Sequence, residues 1–187
     1  SIATHLQAMC GRRADFTFFQ EHSATLDKVA EISAAFKEAK RQIFLGPLDP
    51  NHTHAVGGVG CATKQENIMF PVKALTECFQ KAIDSGRTMH FATALGKGGQ
   101  LISFYVLYGW SGGHQSKTKA SWTSDLVDAV GQEIRAQPQG PVGICGDLNA
   151  DTDDVHSLRD LLDNHSWTDV GACAHVWDQP DAEYTQS

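Results

Sequence analysis

Two long segments of the chain space their apolar residues as amphipathic helices do. The first covers residues 23–41, and its apolar face consists of Leu26, Val29, Ile32 and Phe36. The second covers residues 116–137, and its apolar face consists of Trp122, Leu126, Val130 and Ile134. Each places charged residues on the opposite face, as a helix lying against a core does. Shorter helical patterns occupy residues 2–12, 74–86 and 154–165.

Short runs rich in aromatic and β-branched residues predict strands between these helices. The runs are residues 14–22, 41–46, 55–64, 88–95, 100–110, 141–147 and, as a last strand, 166–177. The sequence "GKGG" at 96–99 predicts a hairpin between the fourth and fifth of them. Helices and hairpins mixed in this order favour layered sheets covered by helices.

The composition is that of a single globular domain, which we assign to residues 1–187. Of its 187 residues, 41% are hydrophobic and 20% are charged. No apolar run is long enough to cross a bilayer, so we expect no membrane association, and we expect a monomer. The five cysteines are scattered without a C-x-x-C pair, which favours free, mostly buried thiols and an intracellular location, with the nucleus as one option.

The net charge of −7 is concentrated in the last quarter of the chain. Up to Ile144 there are 14 basic and 12 acidic residues, whereas from Cys145 onward there are one basic and ten acidic residues. A uniformly acidic protein repels nucleic acid, but most of this chain is nearly neutral, so a nucleic-acid substrate is not excluded. The acidic segment is typical of a solvated surface, and binding of divalent cations explains part of it at most.

Three of the predicted strands end in polar residues. They end in Gln20-Glu21, in Tyr108-Gly109 and in "GDLN" at 146–149. In an extended strand Asp147 and Asn149 share one face while Leu148 faces the core. Because sites in sheet proteins gather at strand ends, these residues are candidates for chemistry. Taken singly, each has a plainer interpretation: an Asp-x-Asn turn, a core tyrosine, or a solvated or helix-capping glutamate.

A calcium loop beginning at Asp147 does not fit the sequence. The sixth position of such a loop is Gly, and here it is Thr152; the twelfth is acidic, and here it is Leu158. His52 and His54 are spaced to bind a metal, but a solvated loop is the simpler interpretation. Lys117 and Lys119 are candidates for contact with a phosphate near Tyr108, or else form a solvated helix start.

Four motifs in order resemble the endonuclease/exonuclease/phosphatase superfamily. They are "FFQEH", "GGVGCATK", "YVLYGW" and "GICGDLNAD". The resemblance covers residues 14–150 closely and the remainder loosely. It implies an α/β fold of the α+β kind: a four-layered sandwich with two facing mixed β-sheets flanked by helices.

The resemblance also implies a function, a metal-dependent phosphodiester hydrolase using Mg²⁺ or Mn²⁺. Glu21 would be the metal ligand, Asp147 would orient or deprotonate the attacking water, and Asn149 would donate a hydrogen bond to the phosphate. Tyr108 would lie beside the scissile bond. The short loops favour an endonuclease acting on DNA, as in retroelements. A phosphatase acting on a small or lipid phosphate is the alternative within the superfamily.

The superfamily pattern is incomplete at both ends of this chain. Its first strand, which carries an Asn, and its closing Asp and Ser-Asp-His segments have no counterpart here, and His156, His165 and His175 are not assigned to that role. We therefore expect a partial domain, incomplete at its N- and C-terminal strands. A third alternative follows, a truncated and catalytically inactive domain, because loss of such groups lowers rates by orders of magnitude.

Overall fold

The computed structural model describes residues 2–11, 13–51, 56–95 and 99–177. The strands are β1 Phe16–Phe19, β2 Arg41–Leu45, β3 Gly60–Lys64, β4 Met69–Pro71, β5 Thr88–Leu95, β6 Gln100–Tyr108 and β7 Val142–Asp147. The α-helices are α1 Leu6–Cys10, α2 Leu26–Glu38, α3 Glu77–Asp84, α4 Lys117–Ala136 and α5 His156–Asn164. Short 3₁₀ helices occupy Ile2–His5, Gly113–Gln115, Thr152–Asp154 and Ala174–Trp177.

The strands form two sheets. In the first, with order β1-β3-β2, both pairings are antiparallel. In the second, with order β4-β5-β6-β7, the β6–β7 pair is parallel and the other pairs are antiparallel. The helix α4 connects β6 to β7, as parallel neighbours require. The carboxyl ends of β6 and β7 therefore lie side by side.

The two sheets pack face to face through aromatic side chains. Phe18 of β1 lies 5.1 Å from Phe104 of β6, and Phe44 of β2 lies 6.2 Å from Phe91 of β5, between ring centroids. Cys61 of β3 is buried in the same layer. Aromatic side chains bury large areas at sites like this, so this inner layer is a main source of cohesion between the sheets.

Helices cover the outer face of each sheet. Phe36 of α2 is fully buried against the first sheet, in a cluster with Ile2 and Phe19. On the other side, Val130 of α4 and Tyr105 of β6 belong to one cluster shared by α3, α4, α5 and the second sheet. The order helix, sheet, sheet, helix is the predicted four-layered α/β sandwich. Within the described residues, no helix combines the length and the apolarity needed to cross a membrane.

Most predicted elements are present with shortened ends. The two long amphipathic helices are α2 and α4, and the predicted hairpin joins β5 to β6, although residues 96–98 of its turn lie outside the described residues. Tyr105 and Tyr108 face opposite sides of the second sheet, as their spacing predicted. The loop with His52 and His54 also lies outside the described residues.

Four expectations were wrong. Residues 166–177 form turns and a 3₁₀ helix rather than a last strand, and Val170 and Val176 are both 65% exposed. The predicted Gly-rich strand begins only at Gly60, while β4 was not predicted at all. Trp122 is 45% exposed and does not lie on the buried face of α4. Its ring packs edge to face with the ring of Trp110. All five cysteines are free, but Cys61 alone is fully buried.

Candidate functional site

The parallel pairing of β6 and β7 brings Tyr108 and Asp147 together. They are register partners at the last position of both strands. The pairing continues one step further, because the Gly109 N–H donates to the Asp147 carbonyl at 2.7 Å. Tyr108 is 3% exposed, whereas the Asp147 side chain is exposed to solvent. One edge of the second sheet thus carries a buried phenol next to an accessible carboxylate.

Glu21 reaches this edge from the first sheet. It follows β1 by two residues, and its Oε1 accepts a short hydrogen bond from the Tyr108 hydroxyl. The backbone of Glu21 turns sharply there, with a left-handed φ of 52°. Burial, followed by the contact with Glu21, raises the pKa of the Tyr108 hydroxyl. Tyr108 is therefore a protonated hydrogen-bond donor at neutral pH.

Asn149 lies where β6 and β7 end, which is the corner that holds the site, but it is not part of β7. Its Nδ2 donates to the Gly109 carbonyl at 3.2 Å, and its backbone N–H donates to Asp147 Oδ1 at 2.9 Å. The expectation that Asp147 and Asn149 share a face of one extended strand was wrong, since β7 ends at Asp147 and Asn149 has a φ of 53°. The Asp-x-Asn turn bonds its own backbone and also brings both side chains to one place. As expected, Leu148 faces the core, where it packs against the cluster shared by α3, α4, α5 and the second sheet.

Arg87 supports the corner from below and was not predicted from the sequence. Its guanidinium is 6% exposed and forms an ion pair with Asp49 at 3.2 Å. It also donates to the Gly109 carbonyl at 3.2 Å, and it lies 4.8 Å from the centre of the Tyr108 ring. Such a buried cation is stable only with partners of this kind. The sequence carried no sign of this contact because the partners of Arg87 come from two segments that are distant in the chain.

The segment after β6 lines the other side of the corner. Ser111 Oγ lies 3.1 Å from the Tyr108 hydroxyl, and Lys119 Nζ donates to the Ser111 carbonyl at 2.7 Å. Lys119 thus contacts Ser111, which in turn contacts the Tyr108 hydroxyl. Lys117 is exposed at the first position of α4. This arrangement is compatible with the predicted phosphate contact for these lysines.

The donor atoms at the corner fit a hard divalent cation. Glu21 and Asp147 offer exposed carboxylate oxygens, and Asn149 offers an amide oxygen. Within the described residues no group of three or more His, Cys, Asp and Glu side chains is placed to enclose a metal ion. Mg²⁺ does not need one, because it keeps several waters and is typically held by one or two carboxylates together with the phosphate of its substrate.

Accessible carboxylates, an amide and a buried phenol thus lie together at strand ends of a two-sheet α/β sandwich. No family model matches the chain, and no curated protein matches it in sequence. Several solved structures do match its fold, with probability 1.00. The human Nocturnin catalytic domain with bound sulfate superimposes with a TM-score of 0.62 at 15% identity, covering 98% of this chain and 68% of that one.

Two further structures support the same assignment. The AP endonuclease from Archaeoglobus fulgidus has a TM-score of 0.61 at 14% identity and covers 87% of this chain and 66% of its own. TDP2 from D. rerio, complexed with a single-strand DNA product, has a TM-score of 0.55 at 16% identity and covers 84% and 58%. This chain spans about two thirds or less of these proteins. This chain shares their fold, which is the layered sandwich implied by the resemblance to the endonuclease/exonuclease/phosphatase superfamily.

Proposed function

We propose that this chain is a metal-dependent phosphodiester hydrolase that acts as an endonuclease on DNA. The observation that carries the proposal is the meeting of Glu21 with Tyr108, next to Asp147 and Asn149, at the ends of strands from both sheets. These are the four residues that the sequence motifs singled out. The AP endonuclease and the DNA-bound TDP2 among proteins of this fold favour a nucleic-acid substrate.

The charge of the site supports a requirement for Mg²⁺ or Mn²⁺. Glu21 and Asp147 are exposed, and Asp151, Asp153 and Asp154 follow within the next few residues. A phosphodiester anion is repelled by such a surface unless a cation offsets the negative charge. When bound, the ion would polarise a phosphoryl oxygen, and Glu21 is the residue that we assign to hold it.

Each of the other side chains has a role that follows from its contacts. Asp147 is free to accept a proton from an attacking water, as a general base does. Asn149 donates one amide hydrogen to the Gly109 carbonyl, which fixes the amide so that its second amide hydrogen can be donated to the substrate phosphate. Tyr108 donates to Glu21 and thereby fixes the direction of that carboxylate. Donors and charges fixed before the reaction stabilise the transition state most effectively.

The proposal is tested with supercoiled plasmid DNA in the presence and absence of Mg²⁺. We expect nicking by the wild type with Mg²⁺ and a loss of about 100-fold or more in Glu21→Gln and in Asp147→Asn, as for other catalytic groups. Glu77→Gln is the matched control, because Glu77 is an exposed carboxylate at the first position of α3 and its partner is Lys81. Equal nicking rates in all four proteins would refute the assignment of the site.

The same preparations distinguish the alternatives. Hydrolysis of a phosphomonoester such as p-nitrophenyl phosphate without plasmid nicking, and sensitive to Glu21→Gln, would indicate a phosphatase. The absence of hydrolysis of plasmid, of a generic phosphodiester and of the monoester would indicate a domain without catalytic activity, and the endonuclease proposal would be rejected.

A further inference from the structure

We propose that His22 is a positioning residue that holds Glu21 in the direction required to bind a metal ion. This inference rests on the proposed function, in which Glu21 is the metal ligand. His22 is 1% exposed, whereas the side chain of its neighbour Glu21 is exposed to solvent. A buried residue is therefore joined directly to an accessible carboxylate. The residue next to an exposed ligand is well placed to control it, since its own position is fixed by the core.

The imidazole of His22 is held by two hydrogen bonds of opposite sense. Its Nδ1 accepts from the Ala24 N–H at 3.0 Å, and its Nε2 lies 3.0 Å from the Gly46 carbonyl oxygen. A backbone N–H can only donate and a carbonyl can only accept, so the ring is neutral with its proton on Nε2. Both ring nitrogens are therefore used, and the ring has one favoured orientation.

The backbone around His22 is held in a conformation that it would not adopt alone. Glu21 and Ser23 have left-handed φ values of 52° and 47°. Outside glycine such a conformation is unfavourable, and it persists only where the surroundings enforce it. Here the N–H groups of His22 and Ser23 donate to the carbonyls of Gly58 and Gly57 at 3.3 and 3.2 Å. The strained turn that directs Glu21 toward Tyr108 is centred on His22.

Gly58 shows how closely the ring is packed. A Cβ atom at Gly58 would collide with the His22 imidazole, and the φ of Gly58 is +82°, a value that glycine adopts easily. Gly58 of the "GGVG" segment thus allows the close approach of the His22 ring. Removing the imidazole would remove the hydrogen bonds to Ala24 and Gly46 that fix this loop. Glu21 would then be held only by its contact with Tyr108 and by the backbone hydrogen bonds of the loop.

The inference is tested by binding of Mn²⁺, measured by electron paramagnetic resonance on the protein without substrate. Glu21→Gln establishes the contribution of the ligand itself. For His22→Phe, which keeps a ring and loses both hydrogen bonds, we expect about tenfold weaker binding, as for groups that orient metal ligands. For His22→Gln, whose amide can still donate to the Gly46 carbonyl, we expect binding within about threefold of the wild type.

Two comparisons separate the possible failures. If Glu21→Gln binds Mn²⁺ as the wild type does, or if the wild type does not bind it, the metal site of the proposed function fails, and this inference fails with it. If Glu21→Gln weakens binding and His22→Phe does not, the positioning role alone is rejected. Should His22→Phe not fold, His22→Leu, which also loses both hydrogen bonds, replaces it in the same comparison with the same expected loss.

A variant in the hydrophobic core controls for general loss of stability. Leu126 of α4 is 3% exposed and lies in the cluster shared by α3, α4, α5 and the second sheet. Leu126→Ala should lower the melting temperature while leaving Mn²⁺ affinity unchanged. In plasmid nicking, His22→Phe should lower kcat about tenfold with KM for DNA within about twofold of the wild type. Weaker Mn²⁺ binding in Leu126→Ala would show that the His22 effect is mere destabilisation and would overturn the proposal.

Discussion

At the scale of single residues, Gly109 joins the parts of the site. Its N–H donates to the Asp147 carbonyl at 2.7 Å, and its carbonyl accepts from Arg87 and Asn149, both at 3.2 Å. A side chain at this position would collide with the carbonyl of Leu148. The glycine after Tyr108 is therefore required by the close approach of the segments that follow β6 and β7.

Substitution of Gly109 should damage the site more than the fold. In Gly109→Ala, the added methyl group would push the Leu148–Asn149 backbone away from Tyr108, and a displacement of about 1 Å can lower a rate by about 100-fold. Plasmid nicking with Mg²⁺ measures the effect. Gly140→Ala is the control, since among the described residues a Cβ there meets only the Leu101 carbonyl, at an ordinary 3.5 Å. A wild-type rate in Gly109→Ala would contradict this account of the corner.

The neighbourhood of the site residues was predictable from the sequence, whereas their geometry was not. Apolar strands ending in Glu21, Tyr108 and Asp147 indicated one shared edge, because strand ends collect at the edges of sheets. The left-handed turn at Asn149 was hidden, since an asparagine is compatible with a strand end or with a turn. The supporting roles of His22 and Arg87 gave no signal, because the bond of His22 to Gly46 and the contacts of Arg87 join segments that are distant in the chain.

At the scale of secondary structure, long periodic segments were predicted well and short ones poorly. The 20 residues of α4 include several turns with buried Leu126 and Val130, so its pattern is strong. The strand β4 has only three residues and ends in Pro71, which gives no alternation to detect. Residues 166–177 contain scattered apolar residues but do not pair with either of the described sheets, and Val170 is exposed. Tertiary contacts decide such short segments.

One buried carboxylate ties α4 to the start of α3. Glu133 is fully buried and accepts four hydrogen bonds of 2.7–2.8 Å, from the backbone N–H groups of Leu75 and Thr76, the Thr76 hydroxyl and the Gln137 amide. Burial raises the pKa of Glu133, but these hydrogen bonds outweigh it and the pKa is lowered. The carboxylate is thus held in its charged form, with each oxygen accepting two bonds.

Neutralising this carboxylate should destabilise the protein without touching the site. In Glu133→Gln, an NH₂ group replaces one oxygen and faces donors, so we expect a loss of about 2–4 kcal/mol in the free energy of unfolding. Urea denaturation at pH 7 measures it. Asp128→Asn on the exposed side of the same helix, where Gln132 is the partner, should change stability by less than about 0.5 kcal/mol. Equal stabilities of the two variants would refute the role of Glu133.

At the scale of the whole molecule, the fold is conserved where the sequence is not. The Nocturnin, AP endonuclease and D. rerio TDP2 structures share 14–16% identity with this chain, yet the two-sheet sandwich superimposes. Alternation of apolar residues specifies the layers, and many sequences satisfy that pattern. Function depends on few side chains at the strand ends, so the fold by itself does not define the substrate.

A buried histidine should make the stability of the whole protein depend on pH. His90 of β5 is 1% exposed and stacks on Tyr105, with ring centroids 4.2 Å apart. Within the described residues, neither of its ring nitrogens has a hydrogen-bond partner. Burial lowers the pKa of His90 to about 4, although the charge of Glu133 opposes the shift. The folded protein therefore holds His90 neutral across a range in which the unfolded chain protonates it.

The sign of the effect follows from this difference in pKa. From pH 7 to pH 4.5 the unfolded state binds a proton that the folded state does not, so stability falls as the pH falls, by about 2–3 kcal/mol for this one residue. Urea denaturation at the two pH values measures the loss. His90→Phe keeps a stacked ring and cannot be protonated, so its loss should be smaller by that amount. Because the other acidic groups and His22 remain in both proteins, equal losses in the wild type and the variant would show that His90 is protonated in the folded state.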